Sequence, residues 1–377
     1  MIEGRDVVLV YRDRIAPRSE AAFLRRQYLS FERLKPVWVG CRTDEGLGEL
    51  GVEPLILGRE GLLGGLDRAL FKQLGTIPPQ PELRELRPRL VHAQFGRGGA
   101  LALPIARALR IPLVVTFHGG DATKQTHYRR RLFPTIYQRR LGALQREASA
   151  FVCVSDFVRD RLLERGFPPG KLRVIRLGAE IDAATPPPSG RPCLLFVGRF
   201  VEKKGAAHLI EAARLLKNEG RALQLVLVGD GPLLAALRQE AQGAGAVEFP
   251  GWLPNAEVRR RMAGALAVVV PSVTARSGDS EGLPTVAVEA MAEGTPVIGT
   301  REGGIAEAVE DGRTGLLVRP ADPRALADAV GRLLDDPATR QAMGIAARER
   351  AQRSFDARAQ SRLLEDLLLS VSEAGSD

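Results

Sequence analysis

Cys193-Leu194-Leu195-Phe196-Val197-Gly198-Arg199-Phe200-Val201-Glu202-Lys203-Lys204-Gly205 is the stretch whose reading decides the fold. Five largely apolar residues make a buried strand, Gly198 lets the chain turn, and a helical pattern opens at Lys204. A strand that turns through glycine into a helix begins a parallel βαβ unit. The same alternation continues downstream, with strands expected at 224–228, 247–249, 267–270, 296–299 and 315–318. Upstream it is read at 7–11, 36–40, 90–93, 113–117, 151–154 and 172–176. Between the two series lies the connector Thr185-Pro186-Pro187-Pro188-Ser189-Gly190, rich in residues that interrupt regular structure. The expected fold is therefore α/β, two Rossmann-like domains facing a cleft, spanning residues 1–178 and 179–354. Segment 355–372, with Leu363, Leu364, Leu367 and Leu368 on one helical face, is expected to pack back on the first domain.

Composition supports this reading. A chain of 377 residues suits two domains of ~150 to 200 residues each. With 45% hydrophobic and 26% charged residues it can bury cores, which excludes a disordered or collagen-like chain. No apolar run approaches the ~18 residues of a membrane span, and the acidic start Met1-Ile2-Glu3-Gly4-Arg5-Asp6 is unlike a signal peptide. A cytoplasmic protein is expected. Cys41, Cys153 and Cys193 are far apart and lack metal-ligand spacing, so they read as buried thiols. Charge is divided unevenly: 31 Lys+Arg against 18 Asp+Glu up to Gly178, then 23 against 27. In the basic stretch 97–146, which includes Arg129-Arg130-Arg131 and Arg139-Arg140, Asp121 is the only acid. That half is expected to prefer anionic surfaces, such as the inner face of a plasma membrane.

Open parallel sheets bind ligands beyond the carboxyl ends of their strands, so polar residues just after strands carry the functional signal. Arg199 and Lys204 follow the strand at 193–197, and two cations beside a helix start suit a diphosphate. The second cluster is Pro271-Ser272-Val273-Thr274-Ala275-Arg276-Ser277-Gly278-Asp279-Ser280-Glu281-Gly282-Leu283-Pro284-Thr285-Val286-Ala287-Val288-Glu289-Ala290. With a helix taken to start near Glu281, Glu289 lies ~12 Å further along, too far for a paired acid and base. Two acids so placed suit opposite parts of one extended sugar nucleotide. The Gly282 and Leu283 amides at that helix start are expected to hold phosphate oxygens. Glu289 stands in an apolar run, where a buried carboxylate needs a partner or a ligand. In the first domain His118 ends the strand at 113–117, a position suited to the reacting groups. His92, Arg97 and Asp121 are candidate acceptor contacts, with helix capping the alternative for Asp121.

Taken together, Gly198-Arg199 to Lys204-Gly205, the Glu281 to Glu289 pair and Gly303-Gly304 within Thr300-Arg301-Glu302-Gly303-Gly304-Ile305-Ala306-Glu307 resemble the retaining glycosyltransferases of family 4, which have the type B two-Rossmann (GT-B) fold. The resemblance covers nearly all of the second domain and continues less sharply over 91–182. It implies that Arg199 and Lys204 bind the donor diphosphate, Glu289 the ribose and Glu281 the transferred sugar. It also implies that Trp252 and Leu253 line the base pocket, although Trp252 reads equally as a core or interdomain aromatic, and that His118 is catalytic. The first loop, 12–23, resembles the Ser-Glu-x-x-Phe variants of exopolysaccharide transferases, one residue longer than their usual spacing. The implied reaction is hexosyl transfer from a UDP- or GDP-linked sugar to a glycan or lipid-linked acceptor, with no cofactor and no metal. The nearest acids to a metal pair are Asp279 and Glu281. A sugar-nucleotide epimerase of the same architecture is the alternative enzyme, a phosphorylase would need a pyridoxal-phosphate lysine that does not stand out, and a nucleic-acid-binding protein lacks the interleaved aromatics.

Overall fold

A computed structural model describes residues 5–16, 24–44, 53–59, 61–78, 80–128, 132–182, 193–221 and 223–374. It divides into two units, Met1–Leu177 with Arg358–Asp377, and Gly178–Ala357. The connector 185–190, Arg129 to Arg131 and positions 17–23 of the first loop lie outside the described residues.

Strands buried on both faces read as apolar runs, and such runs at 8–11, 150–153, 225–228 and 267–270 mark the interior of the two sheets. The first holds seven parallel strands: β1 Asp6–Tyr11, β2 Leu34–Gly40, β3 Leu55–Ile56, β4 Leu90–Gln94, β5 Leu113–Phe117, β6 Ala150–Cys153 and β7 Leu172–Val174, in the order β3-β2-β1-β4-β5-β6-β7. The second holds six: β8 Cys193–Val197, β9 Gln224–Val228, β10 Val247–Gly251, β11 Ala267–Val270, β12 Val297–Thr300 and β13 Gly315–Val318, in the order β10-β9-β8-β11-β12-β13. Every pairing within these two sheets is parallel. In each sheet the strand order reverses beside the first strand, between β1 and β4 and between β8 and β11. Such reversals are the switch points at which the following loops diverge and leave room for a ligand.

The first core gathers Val8, Val10, Leu34, Leu90 and Val114 with Leu364 and Leu368 of the terminal helix Ala357–Ala374. Leu367 packs partly against it, whereas Leu363 is exposed, so the apolar face is narrower than its four leucines indicate. Glu365 on the same helix is buried, and its Oε1 accepts from the Arg33 and Leu34 amides at 2.8 Å each. That pairing satisfies the two amides at the start of β2. Cys41 and Cys153 are buried free thiols, and Cys193 is half-buried.

Candidate active site

Three loops meet at the switch point of the second sheet. After β8 the chain turns through Gly198 and Arg199 into the short 3-10 turn Glu202–Lys204 and the helix Ala206–Asn218. Gly205 joins turn to helix with φ +66, and a Cβ there would stand 1.8 Å from Pro271 O, so only glycine lets the loop after β11 press against this one. Val273 N–H donates to Lys203 O at 2.8 Å across the same seam. The loop after β12 closes the group: Gly303 has φ +55 with a Cβ position 2.2 Å from Glu281 O, and Gly304 N–H donates to that oxygen at 3.1 Å.

The seam brings the two sequence clusters into contact. Lys204 Nζ lies 3.0 Å from Glu281 Oε1, Lys203 Nζ 3.9 Å from the same oxygen, and Lys203 Nζ 3.1 Å from Asp279 Oδ1. The Lys204 stem lies over Gly198, with its Cδ and Cε 3.6 Å from where a Cβ would be. Glu281 is buried; desolvation pushes its carboxyl upward, but Lys204 and then Lys203 outweigh it and hold it below the usual range. Glu281 Oε1 is engaged by Lys204, and Ser272 Oγ, earlier in the same loop, is buried without a hydrogen-bond partner among the described residues. Buried polar atoms are rarely left so. Ser272 escaped notice in the sequence because a serine after a strand is usually a turn residue. Arg199 is exposed.

Two expectations about this loop need correction. The helix starts at Thr285, after Pro284, which lacks an N–H and disfavours helical backbone at the residue before it. Gly282 and Leu283 therefore precede the helix, its first amides belong to Thr285 and Val286, and the 12 Å helical rise between Glu281 and Glu289 does not apply. Glu289 is half-buried: it and Thr285, four residues apart, are the two helix positions that reach solvent, while Val286, Ala287, Val288, Ala290, Met291 and Ala292 are buried. Trp252, directly after β10, is exposed, so it is no core aromatic; Leu253 beside it is half-buried.

In the first sheet, Arg12, Phe95 and His118 follow β1, β4 and β5. The Arg12 guanidinium carbon stands 4.2 Å above the Phe95 ring centre, and that ring lies 4.4 Å from the His118 imidazole. Phe95 holds φ 67 and ψ 149, a backbone region close to glycine-only, which costs about 1 to 3 kcal/mol and persists only where surrounding structure enforces it. Gln94 Nε2 donates to Tyr28 Oη at 2.7 Å and to Gln27 Oε1 at 3.0 Å, so its Oε1 accepts from His118 Nε2–H at 2.7 Å. The neutral imidazole thus spends its one N–H on Gln94, and its other nitrogen is an acceptor. Burial first, then Arg12 and His92, lower the His118 pKa to about 3.

The acceptor candidates resolve differently. His92 is fully buried inside β4, its Nδ1 2.8 Å from Tyr28 Oη and its Nε2 2.7 Å from Thr116 Oγ1, so it is a satisfied core residue and not an acceptor contact. Asp121 is also buried: its carboxylate accepts from the amides of Gly96, His118 and Gly119, each at 3.0 Å, and fastens the loop after β5 to the loop after β4. That positions His118 and leaves Asp121 no acceptor role. Arg97 is exposed, 3.6 Å from Asp13.

Among known families, the model described as "Glycosyl transferases group 1" matches residues 179–350 and that of "Glycosyltransferase Family 4" matches 59–183. The chain is 34% identical over 292 residues to WcaL of Salmonella typhimurium, named as a colanic acid biosynthesis glycosyltransferase, covering 74% of this chain and 70% of that one. It is 31% identical over 294 residues to the amylovoran biosynthesis glycosyltransferase AmsK of Erwinia amylovora, covering 74% and 69%. Its fold matches HepE of Anabaena, solved in complex with UDP and glucose, at TM-score 0.78, 20% identity and coverage of 97% and 100%. It also matches sucrose-phosphate synthase of Thermosynechococcus elongatus at TM-score 0.77, 22% identity and coverage of 98% and 100%. Two Rossmann-like units, the joined switch-point loops and these matches lead to one conclusion: the chain belongs to glycosyltransferase family 4, with the GT-B fold, and is a glycosyltransferase of the exopolysaccharide-assembling kind.

Proposed function

We propose that the enzyme transfers a hexosyl group from a nucleoside-diphosphate sugar, UDP- or GDP-linked, to a hydroxyl of a glycan or lipid-linked acceptor with retention of anomeric configuration. The observation that carries this is the Lys204–Glu281 pair, a cation 3.0 Å from a buried acid at the switch point. Arg199 and Lys204 take the diphosphate, with the amides at the start of the helix Thr285–Ala292 contributing positive potential. Glu281 Oε1 accepts from ligand hydroxyls, Ser272 Oγ donates to or accepts from them, Glu289 reads the ribose, and Trp252 with Leu253 flanks the base. That HepE was crystallised with UDP and glucose supports the donor class.

In the reaction the bond from the anomeric carbon to the diphosphate oxygen breaks and a bond to the acceptor oxygen forms on the same face. The acceptor proton passes to the departing phosphate. Charge grows on the leaving diphosphate, where preorganised cations stabilise it most. Metal independence is part of the proposal: Asp279 and Glu281, the nearest acids to a metal pair, are already neutralised by Lys203 and Lys204. The enzyme works on the cytoplasmic side, peripheral to the membrane that carries its acceptor. Incubation with UDP- and GDP-hexoses in EDTA, with proton NMR of the first product formed, tests it. The expected result is transfer with the donor's anomeric configuration; inversion, or activity restored only by a divalent metal, overturns it.

A further inference from the structure

The helix Gly61–Leu74 is amphipathic in the reverse of the usual sense. Its inward face carries Gly64, Asp67 and Phe71, whereas Leu62, Leu63, Leu66, Leu70 and Leu74 are 38% to 96% exposed. Leu62, Leu66, Leu70 and Leu74 recur every fourth residue, so they form one stripe along ~18 Å of helix. No acid interrupts it: Asp67 is turned inward, and its carboxylate is held by Arg59 through two bonds of 2.9 Å. A contiguous exposed apolar stripe of this kind marks an interaction surface.

Its surroundings are basic. Arg59 and Arg68 line an open cavity of about 540 Å³ at the start of the helix, with Gln80 and a single acid, Glu82. At the other end Arg139 donates to Gln73 at 2.7 Å and Arg140 to Lys72 O at 3.1 Å, tying on the helix Ile136–Glu147. Just before that helix, Leu132 and Phe133 are exposed by more than four-fifths, directly following Arg129-Arg130-Arg131 in sequence. Leucine and phenylalanine flanked by arginine suit the boundary between acyl chains and anionic headgroups. No helix among the described residues is long and apolar enough to cross a membrane. A second copy docked on the same stripe by a two-fold axis would set these arginines against their own images, which disfavours association.

We infer that the Gly61–Leu74 face is where the enzyme lies on an anionic phospholipid bilayer, with the leucines entering the interface and Arg68 at the headgroup phosphates. This deepens the membrane part of the proposed function and rests on it, but does not require the donor assignment. The test uses the full chain and vesicles of phosphatidylglycerol with phosphatidylcholine, or of phosphatidylcholine alone, in flotation at low and high salt. Wild-type protein should float with the anionic vesicles at low salt and be released at high salt. A Leu62→Ser/Leu66→Ser variant should lose binding at least tenfold while keeping its urea midpoint and its donor hydrolysis, and Ile345→Ser, exposed in the second unit, should bind as wild type. Hydrolysis without vesicle binding by the wild type would sink this inference alone. Undiminished binding by the double variant would overturn it too, as would light scattering that shows a dimer abolished by the same substitutions.

Discussion

Lys204→Met keeps the stem that lies over Gly198 and removes the charge that faces Glu281. At 3.0 Å and an effective dielectric of ~20 the lost attraction is about 5 kcal/mol, and Lys203 at 3.9 Å continues to supply about 4. Breaking a buried pair by removing one partner typically costs about 3 to 5 kcal/mol, so with Lys203 still present the variant should lose about 2 to 4 kcal/mol without any ligand. Glu281→Gln in the same background removes the stranded charge and should restore at least 1 kcal/mol. The pH dependence has a definite sign. Glu281 is held below its usual pKa in the wild type, so its contribution is present above about pH 4.5 and lost as pH falls through the folded value. In Lys204→Met burial dominates and the pKa rises, so the gap between the two proteins should narrow from pH 7 to pH 5. Urea unfolding of the four members of the cycle at both pH values measures this. A loss under 0.5 kcal/mol, or strict additivity of the two substitutions, would refute the reasoning.

Other predictions follow from the same geometry. Burial lowers the His92 pKa to about 3, so the stability gained by keeping it neutral is complete above pH 6.5 and declines toward pH 3, at up to about 1.4 kcal/mol per pH unit; His92→Gln should flatten that acid limb, and an NMR titration placing His92 near pKa 6.5 would contradict it. Gly205→Ala, with a positive φ and a Cβ 1.8 Å from Pro271 O, should destabilise by more than ~2 kcal/mol and abolish donor binding, while Gly198→Ala, whose Cβ meets nothing closer than 3.5 Å, should fold normally by circular dichroism. Asp121→Asn sets an amide NH₂ toward backbone N–H groups and should cost about 2 to 4 kcal/mol in thermal unfolding, with transfer falling as His118 loses its support.

How much the sequence revealed follows from where each signal resides. Strands such as Ala150–Cys153 and Ala267–Val270 were legible because parallel strands buried on both faces read as unbroken apolar runs. Leu55–Ile56 was missed, being two residues at a sheet edge. His92 and His118 look alike in sequence, each beside a strand end, but His92 and Gln94 share one face of β4 and meet Tyr28, from a segment without periodicity. Pro284 carries a legible signal, because it delays the helix start to Thr285. The Lys204–Glu281 contact was not legible, because the strand order that makes β8 and β11 neighbours is a three-dimensional fact. Nor does composition show that the leucines of Gly61–Leu74 face outward, since periodicity identifies a stripe without saying what covers it.

The central claim is that the switch-point loops of the second unit grip a nucleoside diphosphate. Calorimetric titration of UDP and GDP into the wild type, Arg199→Ala and Lys204→Met tests it most directly. Each charge-assisted contact is worth about 1.5 to 3 kcal/mol, so one of the two nucleotides should bind the wild type and each substitution should weaken it at least tenfold. Binding that survives both substitutions unchanged would contradict the account.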